Sequence, residues 1–258
     1  MIKITKSNQV PDILTGAKAA TAKQDIANKI AAGTEIKSKN FDDSVYNGEG
    51  VKKTLLNDQK QKCAYCEVPM AGDYGAVEHY RPKTEWQEDK NDSKHNPGYY
   101  WLAYDWSNML CSCDKCNSAA RKGNLFPLRD PNTRDIPHQN IAQEVPLIIN
   151  PSSEEPGNYI RFRQYMAIPV HVNGIESDKG RRTIDIFDLN GCIPTKTAGP
   201  RTDLKNLRKN TWDMAKALYE SKIEQGLSKE DAIEEVKKVY AQPEKPFAGM
   251  FMHQDFWF

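Results

Sequence analysis

Five of the chain's six cysteines fall between Cys63 and Cys116, and four of them form two C-x-x-C pairs, Cys63/Cys66 and Cys113/Cys116. A two-residue gap lets two thiolates reach one ion, and two such pairs complete the tetrahedral all-cysteine set that binds structural Zn2+. Cys111 leaves the register of the second pair open, because it competes in principle with Cys113; the gap of the first pair favours Cys113. Cys192 stands alone and reads as buried filler. A closed four-cysteine site offers no open coordination position, so on its own it is a staple. Further chemistry has to come from the polar residues around it. Glu78-His79 lies between the pairs, Asn108 precedes the second pair, and Asn117 follows its last cysteine. Neighbours along a strand point to opposite faces, so this carboxylate and imidazole have different jobs unless the backbone bends.

From Cys63 to Phe126 these residues resemble the HNH, or ββα-metal, nucleases, in the branch where two C-x-x-C knuckles hold zinc behind the active site. The resemblance implies that His79 is the general base and that Glu78 and Asn117 hold a catalytic Mg2+ or Mn2+. It also implies that Asn108 orients the histidine or its loop. Many members carry Asp where this chain has Glu78. Arg81, Lys83, Arg121 and Lys122 flank the motif as candidate contacts to substrate phosphate, weighed against the ordinary reading of solvated surface charge. Trp101, Tyr104 and Trp106 read as core, and His95, His138, His171 and His253 have no matching partner in sequence.

The segments MIKITK, KCAYCE, VEHYRPK, SNML with CDKCN, GNLFPL, LIINP and TIDIFDLNG are similar to the retron-associated and Septu-type HNH proteins. That similarity implies a DNA-hydrolysing effector of bacterial anti-phage defence, working beside an ABC or SMC-like ATPase of the PtuA type. The alternative is a non-catalytic zinc-knuckle subunit that binds nucleic acid or protein, in which Glu78, His79 and Asn117 are incidental.

The elements that must position these groups give an α+β expectation: a ββα-metal HNH core over 62–128, an N-terminal helical segment over 1–61, and a mixed, mostly helical region with a small β element over 129–258. Apolar spacings of three and four predict a helix over 12–32, in two sets slightly out of phase, and another from Val51 to about Gln61. SKNFDDSVYNGEG between them reads as a loop, as does the polar insertion TEWQEDKNDSKHNPG. CDKCNSAARKG predicts a short helix from about Asp114 closed by Gly123, and PLRDPNTRDIPHQN a linker. VPLIIN, YIRFRQ and AIPVHV predict a small antiparallel sheet with turns at Pro156-Gly157 and Asn173-Gly174. Helices are then expected over SDKGRRTIDIFDLNG, over LKNLRKNTWDMAKALYESKIE, and from a Ser228 cap to about Tyr240. The tail PFAGMFMHQDFWF, with five large aromatics, is too apolar to float in water and is expected to dock on the protein's own helices or on a partner.

Composition narrows the function classes less sharply. A chain of 258 residues, 38% hydrophobic, can bury a real core. A formal net charge of +1 supplies no whole-chain attraction for nucleic acid, which leaves a local basic face or bound cations to supply it. Mean hydropathy is −0.75, and no apolar run approaches the roughly 20 residues that span a bilayer. The first residues lack the apolar stretch and small-residue site of a secretory signal. A cytoplasmic, membrane-free protein is the expectation.

Overall fold

The computed structural model describes residues 1–48, 50–70 and 75–258. The chain folds into two compact units, one made of Thr5–Gln59 and Gly72–Ile148, the other of Met1–Ile4, Lys60–Ala71 and Ile149–Phe258. Among the described residues no helix is long and apolar enough to cross a membrane.

In the Thr5–Gln59 and Gly72–Ile148 unit, the out-of-phase apolar sets near the start are two elements. A 3-10 turn at Asp12–Leu14 buries Leu14, and Gly16 is the extended N-cap of α1 (Ala17–Ala31), which buries Ala19, Ala22 and Ile26. The stretch expected to be a loop contains α2 (Asp43–Tyr46), capped by Asp42, whose carboxylate accepts the Ser44 N–H at 3.1 Å. Helix α3 (Val51–Asp58) ends before Gln61, because Lys60 and Gln61 take left-handed φ values of 57° and 58°.

Strands β1 (Ala76–His79) and β2 (Met109–Ser112) pair antiparallel, Glu78 opposite Leu110 and His79 opposite Met109. Helix α4 (Asp114–Asn117) follows and packs on β1. It is shorter than expected: Ser118 is extended at φ −60° and ψ 153°, and the chain reaches Gly123 without helix.

Two segments expected to be solvated are held down. In the insertion after β1, Trp86 and His95 exchange backbone hydrogen bonds at 2.9 and 3.0 Å and stack with ring centroids 4.2 Å apart. In the segment expected to be a linker, the Arg134 guanidinium lies 3.9 Å over the Trp86 ring, donates to the Phe126 carbonyl at 2.7 Å, and also binds Glu88 and the Tyr99 hydroxyl. One buried cation with a carboxylate and an aromatic face orders the stretch. VPLIIN forms no strand; it lies beside residues 127–129 through Arg129 N–H to Val145 O and Leu147 N–H to Pro127 O.

In the other unit, β3 (Ile160–Arg163) pairs antiparallel with β4 (Met166–Pro169) and parallel with β7 (Gln254–Phe256). Strands β5 (His171–Val172) and β6 (Ile175–Glu176) form a hairpin on Asn173-Gly174, both at positive φ as the Asn-Gly turn requires. Helix α5 (Asp178–Phe187) starts at Ser177, whose hydroxyl accepts the Gly180 N–H, and ends at left-handed Asp188. Gly180 is required by close approach: a Cβ there would collide with the Tyr159 carbonyl oxygen. Helices α6 (Thr202–Glu224) and α7 (Lys229–Tyr240, capped by Ser228) pack on each other. The aromatic tail docks within this unit: α8 (Ala248–Met252) buries Met250 and Phe251, and Phe258 lies 4.5 Å from Trp212 and 4.8 Å from Tyr219 on α6. Cys192, expected to be buried, is exposed.

His253, after α8, sits against Gly157, where an added Cβ would come 2.5 Å from Nδ1. Burial, and then the N-terminal ammonium, push its pKa down to about 4, against the opposing pull of Glu155 and Glu67. The folded state therefore binds fewer protons than the unfolded one between pH 6.5 and 4. Stability from this group is fully present above about pH 6.5 and is lost as pH falls through that window. His253→Gln is expected to remove an acid-dependent component of about 2–3 kcal/mol, read as the wild-type-minus-variant difference in urea unfolding free energy at neutral and at acid pH. A difference that does not change with pH would show that His253 titrates normally in the folded protein.

Candidate active site and thiolate cluster

Cys63, Cys66, Cys113 and Cys116 are all buried, and their sulfurs lie within 4.8 Å of one another. Four such sulfurs at that mutual spacing are compatible with one tetrahedral Zn2+ at about 2.3 Å from each. Cys111 is not among them. It lies in β2, its backbone N–H and C=O are both bound at 2.7 Å by the Gln59 side chain, and burial pushes its thiol up to about 11. A thiol held that far from ionisation is a poor metal ligand at neutral pH, so Cys113 is the partner of Cys116.

The first knuckle turns tightly. Glu67, directly after Cys66, has a φ of 60°, its N–H donates to the Cys63 carbonyl at 3.1 Å, and the Cys63 N–H donates to Val68 O at 3.0 Å. The Glu67 carboxylate is buried between the Met1 ammonium at 2.5 Å and Lys62 Nζ at 3.0 Å. Burial opposes its ionisation, but the two cations prevail and hold it at about 2.

His79 closes β1 and is buried. Its Nε2 lies 2.8 Å from the carbonyl oxygen of Ala103. A carbonyl only accepts, so Nε2 carries the proton and Nδ1 keeps the lone pair. The Lys83 ammonium stands 3.4 Å from Nδ1, and the Tyr46 ring meets the imidazole edge-on at 5.0 Å. Burial, and then Lys83, hold the imidazole pKa well below its ordinary value. Lys83 is itself pushed down to about 8 by burial, with Glu78 opposing, and rests 4.5 Å over the Tyr46 ring.

Glu78, one residue earlier, faces a different partner. Its Oε1 is 2.5 Å from Lys122 Nζ, which also donates to the His79 carbonyl at 3.0 Å. Burial pushes the Glu78 pKa up, although Lys122 and Lys83 both pull it down. The strand needs no bend: the imidazole turns to Ala103 and the carboxylate to Lys122, as alternation along β1 requires.

Asn108 is buried. Its Oδ1 accepts the Arg81 N–H at 2.8 Å, and its Nδ2 donates to Arg81 O at 3.0 Å and to Leu102 O at 3.2 Å. One amide thus fixes the backbone leading to Lys83 and the residue before Ala103. Asn117, half-buried at the end of α4, donates its backbone N–H to Cys113 O.

The basic residues are not the surface charges that ordinary usage suggests. Arg81 is tied to Glu144 at 3.0 Å and faces the Phe126 ring, while Arg121 and Lys122 are buried. Sequence reading missed Tyr46, which arrives in a polar stretch with no periodicity, and Ala103, which contributes only a backbone carbonyl. A backbone acceptor leaves no trace in residue type.

The carboxylate of Glu78 and the amide of Asn117 are hard oxygen donors of the kind Mg2+ or Mn2+ prefers. Burial raises the Glu78 pKa even with Lys122 beside it, so a further cation there would stabilise the carboxylate. By donor type these two residues suit such an ion, with Glu78 Oε1 paired to Lys122 in its absence.

No family model matches the sequence. The chain is 33% identical over 158 residues to Septu protein PtuB of Bacillus mycoides (strain KBAB4), covering 60% of this chain and 52% of that protein. It is 28% identical over 149 residues to Septu protein PtuB of Bacillus thuringiensis, covering 57% and 44%. It is 26% identical over 148 residues to Septu protein PtuA of Bacillus mycoides (strain KBAB4), covering 57% and 20%. The chain spans about half the length of the PtuB relatives it matches. Together with the four-cysteine cluster, these similarities fit a Septu-type PtuB protein with zinc knuckles.

Two stability outcomes follow. Lys122→Met strands the buried Glu78 carboxylate and is expected to cost about 3 kcal/mol in urea unfolding, most of it recovered in the Glu78→Leu/Lys122→Met double variant. Equal loss in single and double variants would mean that Lys122 matters through His79 O instead. Cys66→Ser is expected to abolish stoichiometric zinc by metal analysis and to lower the melting temperature sharply, since structural zinc contributes folding energy directly; an unchanged melting temperature would remove the zinc assignment.

Proposed function

We propose that this chain is an HNH-type endonuclease that hydrolyses DNA phosphodiester bonds and serves bacterial anti-phage defence together with a PtuA-type ATPase. The observation that carries the chemical reading is the fixed tautomer of His79: with Nε2–H spent on Ala103 O, a neutral imidazole presents Nδ1 as its basic atom. Similarity to Septu proteins PtuB and PtuA supports the defence setting and the partner.

In the proposed reaction a water beside Nδ1 passes its proton to that nitrogen as its oxygen attacks phosphorus, and the bond to the leaving oxygen breaks. The depressed pKa keeps His79 unprotonated and ready at neutral pH. Lys83 is the cation nearest Nδ1, and the negative charge gathering on the phosphate oxygens is what its ammonium would meet. The 3.4 Å separation leaves it bound loosely enough to exchange Nδ1 for a phosphate oxygen. A Mg2+ or Mn2+ held by Glu78 with Asn117 would neutralise charge on the scissile phosphate and leaving oxygen. Tyr46 excludes water from one edge of the ring, and Asn108 acts as a positioning residue through the backbone on both sides of the base.

The deciding measurement is plasmid nicking by the purified chain and by His79→Ala, with and without added Mg2+ or Mn2+, alone and with a PtuA-type protein. Metal-dependent nicking that drops about 100-fold or more in the variant is expected. Equal activity in both proteins, or none in any combination, would favour a zinc-knuckle binding subunit that performs no hydrolysis.

A further inference from the structure

The end of SDKGRRTIDIFDLNG, which the proposed chemistry does not use, is a turn built around Asp188 and Asn190. The Asp188 carboxylate accepts the Cys192 and Ile193 N–H groups at 2.8 and 3.0 Å and the Arg201 N–H at 2.7 Å, which draws the two ends of the 192–201 loop together. Gly191 permits the approach, since a Cβ there would lie 2.3 Å from the Arg201 carbonyl oxygen. The Asn190 amide pairs with the backbone of Ala167 in β4 at 2.8 and 2.9 Å, and its Oδ1 also accepts from Arg208 Nη2 at 3.5 Å. This turn thereby places two arginines of α6, Arg201 directly before the helix and Arg208 about two turns into it.

Both arginines are buried, Arg201 at 4% exposure and Arg208 at 3%, and both lie against the first cysteine knuckle. Arg201 Nη2 donates to Cys66 Sγ at 3.5 Å, while its Nη1 donates to Phe187 O at 3.2 Å. Arg208 borders, with Tyr65, Cys66 and Glu67, a cavity of about 10 Å3, room for no more than one water. No other ligand can therefore come between them. The Arg208 Nε–H is buried without a hydrogen-bond partner among the described residues, and the guanidinium rests 5.5 Å over the Phe162 ring. The Glu67 carboxylate is already taken by the Met1 ammonium and Lys62. Burial opposes the charge on Arg208 most, and the strongest influence in its favour is a negative Cys66 sulfur, ahead of Glu67.

We infer that Arg201 and Arg208 form a cationic outer shell for the zinc–thiolate group, Arg201 through its hydrogen bond to Cys66 and Arg208 through its charge, with the turn after α5 holding both in place. A guanidinium keeps its proton, and out of water it needs an anion. Four thiolates around one Zn2+ leave two negative charges uncompensated, and two buried guanidinium groups are the matching counter-charge. Such a shell favours thiolate over thiol and so strengthens zinc binding. It also lowers the energy of the Cys66 lone pair, the orbital that donates to the metal. The inference rests on the zinc assignment and is independent of the nuclease reading.

The test compares the full chain, loaded with Co2+ or with Zn2+, with Arg201→Met, Arg208→Met and Arg208→Lys. Lys209→Met, which removes an exposed α6 cation paired with Asp213, is the control. In the cobalt-loaded protein the sulfur-to-metal charge-transfer band is expected to move to longer wavelength in both methionine variants, because the sulfur lone pair rises in energy once the nearby positive charge is gone. The band is expected to stay near its wild-type position in Arg208→Lys and Lys209→Met. Zinc affinity, measured by competition with a chromophoric chelator, is expected to fall about tenfold or more in the methionine variants. Loosened packing alone would lower the melting temperature without moving the band, so the band position separates an electrostatic role from a structural one. Arg201→Lys keeps the charge but gives up the guanidinium fork; it is read where the methionine variants do not fold, with a smaller shift in the same direction expected. An unmoved band, or wild-type zinc affinity in the folded variants, overturns the inference, as does a wild-type chain that binds neither metal. The nuclease reading fails separately, through unchanged nicking by His79→Ala.

Discussion

The contact on which the proposed site depends is the buried ion pair between Lys122 and Glu78. Lys122 is fully buried, and its ammonium holds the Glu78 carboxylate and the His79 carbonyl together at the end of β1. Two charges out of water are stable only when close and fully hydrogen-bonded. That requirement locks the segment after α4 against β1. It also settles which way each neighbour in Glu78-His79 points: with the carboxylate committed to Lys122, the imidazole is left to the opposite face, where Ala103 waits. A surface lysine would exert neither constraint, because an exposed pair contributes little beyond what salt and side-chain entropy remove.

The same burial sets the chemistry. Desolvation is the largest influence on Glu78, His79 and Lys83 alike, and in each it favours the neutral form. For His79 that is the form a base needs. For Lys83 the shift to about 8 leaves the ammonium charged at neutral pH while making its charge less costly to bring near a phosphate. For Glu78 it leaves a carboxylate that gains from any added cation. Three groups respond to one low-dielectric pocket with three different consequences, because their charge types differ.

How much of this was legible in the sequence divides by the kind of signal. Periodicity and caps marked α6 and α7 nearly to the residue and the start of α5, which ends at left-handed Asp188 and not at Asn190-Gly191, since Ser177 and Ser228 are side-chain caps and Asn173-Gly174 has a narrow conformational meaning. The cysteine spacing marked the four-sulfur cluster. Helix α2 was hidden because four residues carry no period, and α4 ran short because Ser118 turns extended within a composition that suits a helix. The linker expectation failed on Arg134: a Pro- and Asp-rich stretch looks solvated until one guanidinium finds Trp86 and Glu88, which sequence distance conceals. The resemblance of the motif to HNH nucleases marked Glu78, His79, Asn108 and Asn117, yet Tyr46, Ala103 and the pairing of Lys122 needed coordinates.

A formula count of charge misleads here for a related reason. The net charge of +1 is no sign of affinity for a polyanion, and the motif offers four basic residues that could supply it. In the folded protein Arg81 answers Glu144 and Lys122 answers Glu78, so neither offers a free charge to phosphate. Lys83 differs: its Nζ stands 3.4 Å from a neutral imidazole nitrogen, and Glu78, the main opposing charge on it, is itself paired to Lys122. An ammonium facing a neutral acceptor in a desolvated pocket keeps most of its field, whereas one facing a carboxylate loses it at short range. In the proposed reaction one such cation beside Nδ1 would attract a phosphate oxygen at the atom where the attack begins, an attraction that a whole-chain charge count does not register.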